Sequence, residues 1–302
     1  MANEIFYSDL VTNGGAVSEV LSAMVVEQLY DPTDLRSVCQ RIDYNTVGST
    51  QMSITKDQVP GAFASTLENA SVANSAYTTS SFDLSVTKYA RAYELTDLVG
   101  ISGSPIDLNR IVQNLTAGVA LTFTDRICTA FSSLATSSGT SGVNLSVDDI
   151  YDAQFKLNLQ ANTGPYTCVL APVQMNDFRS SLRAETGAIQ FEAASADMLA
   201  TKGPGFQGTW NGIQFYQSDS VVTTGGNREG AMFADGCFAY TMAPVSLIQG
   251  HVPSSSILVD AGELLVELVR DAYGGQSAAV AHMYLGIAER EDLRGVMIST
   301  DA

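Results

Sequence analysis

Positive charge is scarce in this chain. Its 302 residues carry 15 Lys and Arg against 32 Asp and Glu, a formal charge of −17. The few cations form no run or stripe. Gripping nucleic acid takes clustered cations that displace counterions from phosphates, so sequence-specific DNA or RNA binding is not expected. An excess of acid repels a polyanion and favours solubility. Cysteine is also sparse: Cys39, Cys128, Cys168 and Cys237 stand tens of residues apart, with no C-x-x-C pair and hence no zinc or redox spacing. Cys128 and Cys168 sit in apolar patterns and read as buried thiols, in keeping with synthesis in a reducing cytoplasm. No apolar run approaches the ~20 residues that cross a bilayer. The opening "MANEIFYSDL" has neither the basic nor the apolar part of a signal peptide. No membrane partner is expected.

Catalytic patterns are missing too. The two histidines are His251, in "QGHVPSSS", and His282, mid-strand beside Met283. The chain contains no H-E-x-x-H, no G-x-S-x-G and no G-x-x-x-x-G-K-[ST]. "GPGFQG" (Gly203–Gly208) matches G-x-G-x-x-G, but a dinucleotide loop follows a strand and opens a helix. Here the patterns predict a helix before it and a hairpin after it, which leaves an ordinary loop. Asp148 and Asp149 read as helix-start residues that favour the helix dipole. "AEREDLR" (Ala288–Arg294) reads as a solvated face with local ion pairs. The N-x-[ST] sequences at Asn69, Asn114 and Asn144 read as chance. No enzymatic activity, no metal and no cofactor are expected.

What is present is a series of strongly patterned segments. Val17, Val20, Leu21, Met24, Val25 and Leu29 recur at helical spacing between Gly14-Gly15 and Asp31-Pro32. Ser104-Pro105 marks the start of a long helix carrying Leu108, Ile111, Leu115, Val119, Phe123, Ile127, Phe131 and Leu134. Ser146 with Asp149 resembles a capping box for a helix over 147–160. "YTCVLAP" is a short buried strand, and helices are expected over 173–184 and 189–200. "GTWNGIQFYQSDSVV" is a hairpin with Asn211-Gly212 at its turn. "GAMFADGCFAYTMAP" reads as one further strand. The segment 264–289 reads as a hairpin around Gly274-Gly275 that sets Val266 and Leu268 against Met283 and Leu285. "RGVMIS" is a last strand.

The unusual part is "SSFDLSVTKYARAYELTDLVG" (Ser80–Gly100), an uninterrupted run of strand formers. Phe82, Leu84 and Val86 point to one side and Tyr89, Arg91, Tyr93 and Leu95 to the other, because strand side chains alternate with period two. A strand of about 50 Å is far longer than the usual five or six residues. A change of buried face along it predicts a crossing between two packing environments. Its first half can pair with "TVGSTQMSITKD", where Met52 and Ile54 share a face. The polar, weakly patterned ~20 residues between them are too long for an ordinary loop in a compact domain, so the hairpin is expected to project.

The order of these parts resembles the major capsid proteins of tailed bacteriophages, the HK97-like fold. The residues that carry the resemblance are "TKYARAYELTDLVG" leading into "SPIDLNRIVQNLTAGVALTFTDRICTAF", with "YTCVLAPVQMNDFRSSLR" and "GTWNGIQFYQSDSVV" following in order. The resemblance implies an α+β chain in four parts. Residues 1–45 would be an N-terminal arm and 46–95 an extended β-hairpin loop lying over a neighbouring subunit. Residues 96–142 and 251–302 would form a peripheral domain with a spine helix over 105–135, and 143–250 an axial domain. It implies a coat protein that self-assembles as pentamers and hexamers into an icosahedral virion capsid around double-stranded DNA, made and assembled in the cytoplasm of a bacterial host. A separate scaffolding protein, a portal and a decoration protein would be its partners. Contacts between subunits would fall on Met52, Ile54, Lys56, Phe82, Leu84, Lys88 and Arg91. Lys88 and Arg91 would meet acidic groups on a neighbour. Some relatives cross-link a lysine to a neighbour's asparagine, but no acceptor can be matched to Lys56 or Lys88, so cross-linking is not expected. Two other readings remain open: an encapsulin-type shell around a cargo enzyme, and an α/β enzyme with an unrecognised site.

Overall fold

The computed structural model describes residues 4–5, 34–44, 49–57, 65, 76–97, 108–160, 162–185, 190–203, 205–244, 256–259, 264–271 and 273–301. The helix expected over 17–29, the Ser104-Pro105 helix start, His251, Pro204 and most of the 58–75 stretch lie outside the described residues.

Among the described residues, two large sheets, a separate two-stranded sheet and four α-helices organise the chain. The first sheet is built around a long strand, β16 (Gln276–Glu289). β5 (Thr87–Thr96) pairs antiparallel with Gln276–Leu285 of it, β15 (Leu264–Asp271) with Gln276–Met283, and β13 (Phe238–Met242) with Leu285–Glu289. β1 (Glu4–Ile5), β2 (Gln40–Arg41) and β14 (Ser256–Val259) complete it at the edges. Leu264 pairs with Met283 and Val266 with Ala281, so the expected register of this hairpin slips. The tight connection Asp271–Gln276, with Gly275 at φ 61, sets the pairing instead.

The second sheet has the order β6-β17-β12-β7-β10-β9-β8, with β11 (Thr223–Thr224) on β12. Its members are β6 (Ser137–Ser138), β7 (Tyr166–Leu170), β8 (Glu192–Ala193), β9 (Phe206–Trp210), β10 (Ile213–Gln217), β12 (Asn227–Ala234) and β17 (Gly295–Asp301). Helix α1 (Leu108–Ala130) runs along the first sheet, and α2 (Val147–Leu159), α3 (Pro172–Ala184) and α4 (Ala196–Lys202) belong to the second.

Local chemistry explains these elements. Ser146 accepts from the backbone N–H of Asp149 while Asp149 accepts from that of Ser146, the reciprocal cap expected for α2. Asn211 (φ 50) and Gly212 (φ 76) form the two-residue turn between β9 and β10, which requires the left-handed region at both positions. β9 pairs on its other side with β8, and a Cβ at Gly208 would lie 2.1 Å from the Glu192 carbonyl, so only glycine lets the strands meet. That pairing corrects the helix expected over 189–200: Glu192-Ala193 is extended, and Ser195 caps a shorter helix.

Two strand assignments change. "GAMFADGCFAYTMAP" is two strands, not one. β12 ends at Ala234, the chain turns through Asp235-Gly236, and β13 enters the first sheet. The last strand, expected with the tail's sheet, pairs with β12 in the second sheet, Ile298 opposite Gly230. The two sheets are thus stitched together by strands that leave one for the other. β13, from the 143–250 part, pairs with β16 and β2, and β17, from the tail, pairs with β12.

Alternate residues of the second sheet serve different cores. Cys168, Leu170, Phe215, Met232 and Ile298 join Ile150, Leu157, Met175 and Phe178 of α2 and α3. Val169, Tyr216, Ala231 and Phe233 face the other way, into the core of α1 and the first sheet. A sheet buried on both faces needs apolar residues at successive positions, which is why "YTCVL" does not alternate. Along α1, Ile111, Leu115, Val119, Phe123 and Ile127 keep one stripe on the first sheet, and Phe123 meets Tyr240 edge-on at 4.9 Å.

Candidate assembly surface

The stretch Ser80–Thr96 divides at Val86. β4 (Ser80–Ser85) pairs with β3 (Gln51–Lys56) as a separate two-stranded sheet, Leu84 opposite Met52 and Phe82 opposite Ile54. The N–H of Val86 donates to the Thr50 carbonyl at 2.7 Å, the last link of that hairpin. One residue on, Thr87 pairs with Leu285 and the chain has joined the first sheet. The crossing expected from the change of face is therefore a change of sheet. Tyr89, Tyr93 and Leu95 pack on the α1 core.

The structure divides the seven expected contact residues. Leu84 is 0% exposed and Met52 5%, so both are covered within the chain. Lys56 has an internal partner as well: its Nζ donates to the Arg290 carbonyl at 2.7 Å and lies 3.2 Å from Glu291 Oε2. Ile54 and Phe82 are half-buried, and Lys88 and Arg91 are exposed. Lys88 and Arg91 lie three positions apart and so on opposite faces of β5. Lys88 shares its face with His282, where burial and then the Lys88 charge push the imidazole below its usual range, with Glu267 opposing. Arg91 stands over the Tyr93 ring at 5.1 Å on the helix side. The pleat separates the pair that the sequence placed together.

Arg91 lines a cleft of about 460 Å³ between β5, β16 and α1, with Leu115, Thr122, Asp125, Arg126 and Met283. Arg126 lies 3.7 Å from Asp125 and over the Tyr89 ring at 5.2 Å. Its charged groups are two guanidinium groups and a carboxylate, beside the hydroxyl-bearing Thr122 and Ser220. Among the described residues, no three His, Cys, Asp or Glu side chains are grouped to hold a metal ion. The thiols of Cys39, Cys168 and Cys237 are buried, and that burial raises them far above the range in which a thiolate forms. No described helix is long and apolar enough to cross a membrane.

"AEREDLR" differs from its expected role as a solvated face. Glu289 accepts from Ser133 Oγ, Asp292 from the N–H of Ala135, and Glu291 meets Lys56. Arg290 Nη1 donates to Gln40 Oε1, and Arg294 to the Asp235 carbonyl at 2.7 Å. This short segment ties the hairpin, β2, the end of α1 and the β12–β13 turn at the point where the chain passes from β16 to β17. Partners so distant in sequence left no local signal. The β12–β13 split did leave one, the Asp235-Gly236 dipeptide.

No family model matches the chain, and no curated protein matches it. Solved structures do. A chain of the capsid of Ralstonia phage GP4 matches with a TM-score of 0.64 at 13% identity, over 100% of this chain and 98% of that one. A Mycobacterium phage Che8 chain matches at 0.62 and 14% identity, over 91% and 94%. The capsid of a native GTA particle matches at 0.57 and 12% identity, over 95% and 100%. At such identities the likeness is one of fold, and it spans the whole chain. The chain has the α+β, HK97-like fold of phage capsid structures.

Proposed function

We propose that this chain is the major capsid protein of a tailed bacteriophage, a structural protein whose copies assemble as pentamers and hexamers into an icosahedral shell around double-stranded DNA. The observation that carries the reading is the end-to-end match with phage capsid chains, covering 91–100% of this chain. The hairpin on β3 and β4 supports it, because two strands alone are marginal in water and gain stability by packing on something further. The same reading gives the chain a place in the virion, assembly in the host cytoplasm, and a scaffolding protein, a portal and a decoration protein as partners. DNA would be enclosed without sequence recognition. At a net charge of −17 the wall repels the packaged polyanion rather than gripping it.

Within this reading the contacts between subunits use Ile54 and Phe82 on the hairpin and Lys88 and Arg91 on the two faces of β5, with 1–45 as an arm, 46–95 as the extended loop and 143–250 at the symmetry axes. The purified protein is expected to form shells, tubes or rings of capsomers in sedimentation and negative-stain microscopy. Charge reversal at Lys88 or Arg91 is expected to lower the assembled fraction while circular dichroism stays unchanged. A monodisperse monomer or dimer under all conditions would overturn the reading.

A further inference from the structure

The cleft beside α1 has features that the packing of the chain does not use. Its helix side runs from Leu115 to Arg126, about 16 Å at the rise of a helix and roughly the length of five extended residues. Gly118 stands along it, inside α1. Glycine weakens a helix interior, yet a Cβ at Gly118 would meet no atom within 4 Å, so no crowding within the chain calls for glycine there. What glycine does allow is the close approach of another backbone. Leu115, Val119 and Met283 give the same cleft a buried apolar lining.

The charges of the cleft are only half matched. Arg36, Lys156 and Arg270 each meet a carboxylate of their own chain at 2.8 Å or less. Arg126 has Asp125 at 3.7 Å. Arg91 pairs with no carboxylate among the described residues and lies over the Tyr93 ring. Two arginines less one aspartate leave the cleft a single positive charge, in a chain that has only 15 Lys and Arg. Thr122 gives its proton to the Gly118 carbonyl at 2.8 Å, so its oxygen is left to accept a hydrogen bond.

The geometry points to a peptide-binding cleft. An extended segment of a partner protein sets an acidic side chain against Arg91 and, two residues on and so on the same face, an apolar side chain into the opening at Gly118. One guanidinium and one carboxylate form two parallel hydrogen bonds, which balances the single charge. Thr122 accepts from the backbone of the peptide. DNA fits less well. It brings one negative charge for about every 1.7 Å of its axis, sets phosphates against Asp125 and leaves the apolar lining uncovered. A small acid fills only part of a cleft this long. The shell reading sets Arg91 against a neighbouring copy; here its partner is a separate protein, and neither assignment needs the other.

The test is fluorescence anisotropy of an end-blocked, fluorescein-labelled Ser-Glu-Ser-Leu-Ser peptide titrated with the full-length chain. Wild type should bind it saturably. Arg91→Gln should weaken binding about tenfold. A peptide with Gln in place of Glu should lose the same factor on wild type and lose nothing more on Arg91→Gln. Gly118→Met keeps both arginines and puts a better helix former in α1, so it should melt no lower than wild type while binding at least about tenfold more weakly. No saturable binding by wild type, or equal binding by wild type and both variants, would overturn the assignment. N-acetylglutamate binding as tightly as the peptide would make this a small-acid site, and a labelled oligothymidine binding more tightly and losing affinity with Arg91→Gln would give it to phosphate; either result overturns it. Assembly abolished by Gly118→Met, with no peptide bound, would give the cleft to a second copy, overturning the peptide assignment and leaving the shell reading standing.

Discussion

The second sheet is buried on both faces, by α2 and α3 on one side and by the α1 core on the other. The β3–β4 hairpin has two strands and places only Met52 and Leu84 out of solvent. In the first region the apolar side chains find partners from the same unit. Phe178 stacks on Phe215 at 5.0 Å and meets Trp210 edge-on at 5.3 Å, with Phe191 closing on Phe215 at 5.8 Å. In the second, stability is borrowed: the hairpin leans on β16 and is pinned by Lys56 to the 290–291 backbone and side chain. One region is a folding unit, the other an appendage that a fold can hold in place or release. In the shell reading proposed above, a chain that must first fold and then adapt to neighbours needs both, because the parts that rearrange come from the low-stability end of a structure.

Phe178→Ala should show the largest effect. Removing a fully buried ring at the centre of the cluster should cost about 4 kcal/mol, through lost transfer energy and the cavity left behind. Denaturant unfolding followed by circular dichroism should show the loss as a shift of the whole transition. If only a fraction of the signal moved, the second sheet would unfold apart from the first, and the core set against the hairpin would be two units rather than one.

Leu84→Ala should act locally. The side chain is fully buried, but what it holds is the hairpin, so a cost of about 2 kcal/mol should appear as roughly thirtyfold faster amide exchange. The acceleration should cover Gln51–Lys56 and Ser80–Ser85 and leave Tyr166–Leu170 and Ile213–Gln217 unchanged. Exchange rising equally in both regions would show that the hairpin is part of one cooperative core.

The same division decides what could be read from the sequence. The long helix, the capping box at Ser146, the Asn211-Gly212 turn and the change of face near Val86 were legible, because each is written in residues close together. The sheet to which a strand belongs was not. β13 and β17 have ordinary strand patterns, and pairing with Leu285–Glu289 or with β12 is settled by partners far along the chain. Burial on the hairpin depends on distant partners in the same way. Alternation put Leu84 and Met52 on one face, but it could not say that the face is covered by the subunit itself. Period two also separates Lys88 from Arg91, a consequence available from the sequence once the strand is drawn.

The smallest effect tests the edge of the first sheet, where a surface pair rather than a core joins strands. Arg270 on β15 donates to both carboxylate oxygens of Asp97 at 2.8 Å, just past the end of β5, and the Asp97 N–H donates to the Gly275 carbonyl. The hydrogen bonds from Arg270 hold the Asp97 carboxyl below its usual range, against an opposing effect of burial and with a smaller contribution from the arginine's charge. A carboxyl depressed on folding stabilises the fold above its unfolded value, about 3.9, and that contribution disappears as pH falls through the lower folded value. Arg270→Gln should therefore melt slightly below wild type at pH 7 and at pH 5, and the gap should close in more acidic buffer. Added salt should narrow it at pH 7, since both groups are open to solvent. The deficit of Phe178→Ala involves no charge and should keep its size in salt. A gap for Arg270→Gln that ignored both acid and salt would mean that the arginine acts through packing, and that this edge resembles the buried unit more than the hairpin.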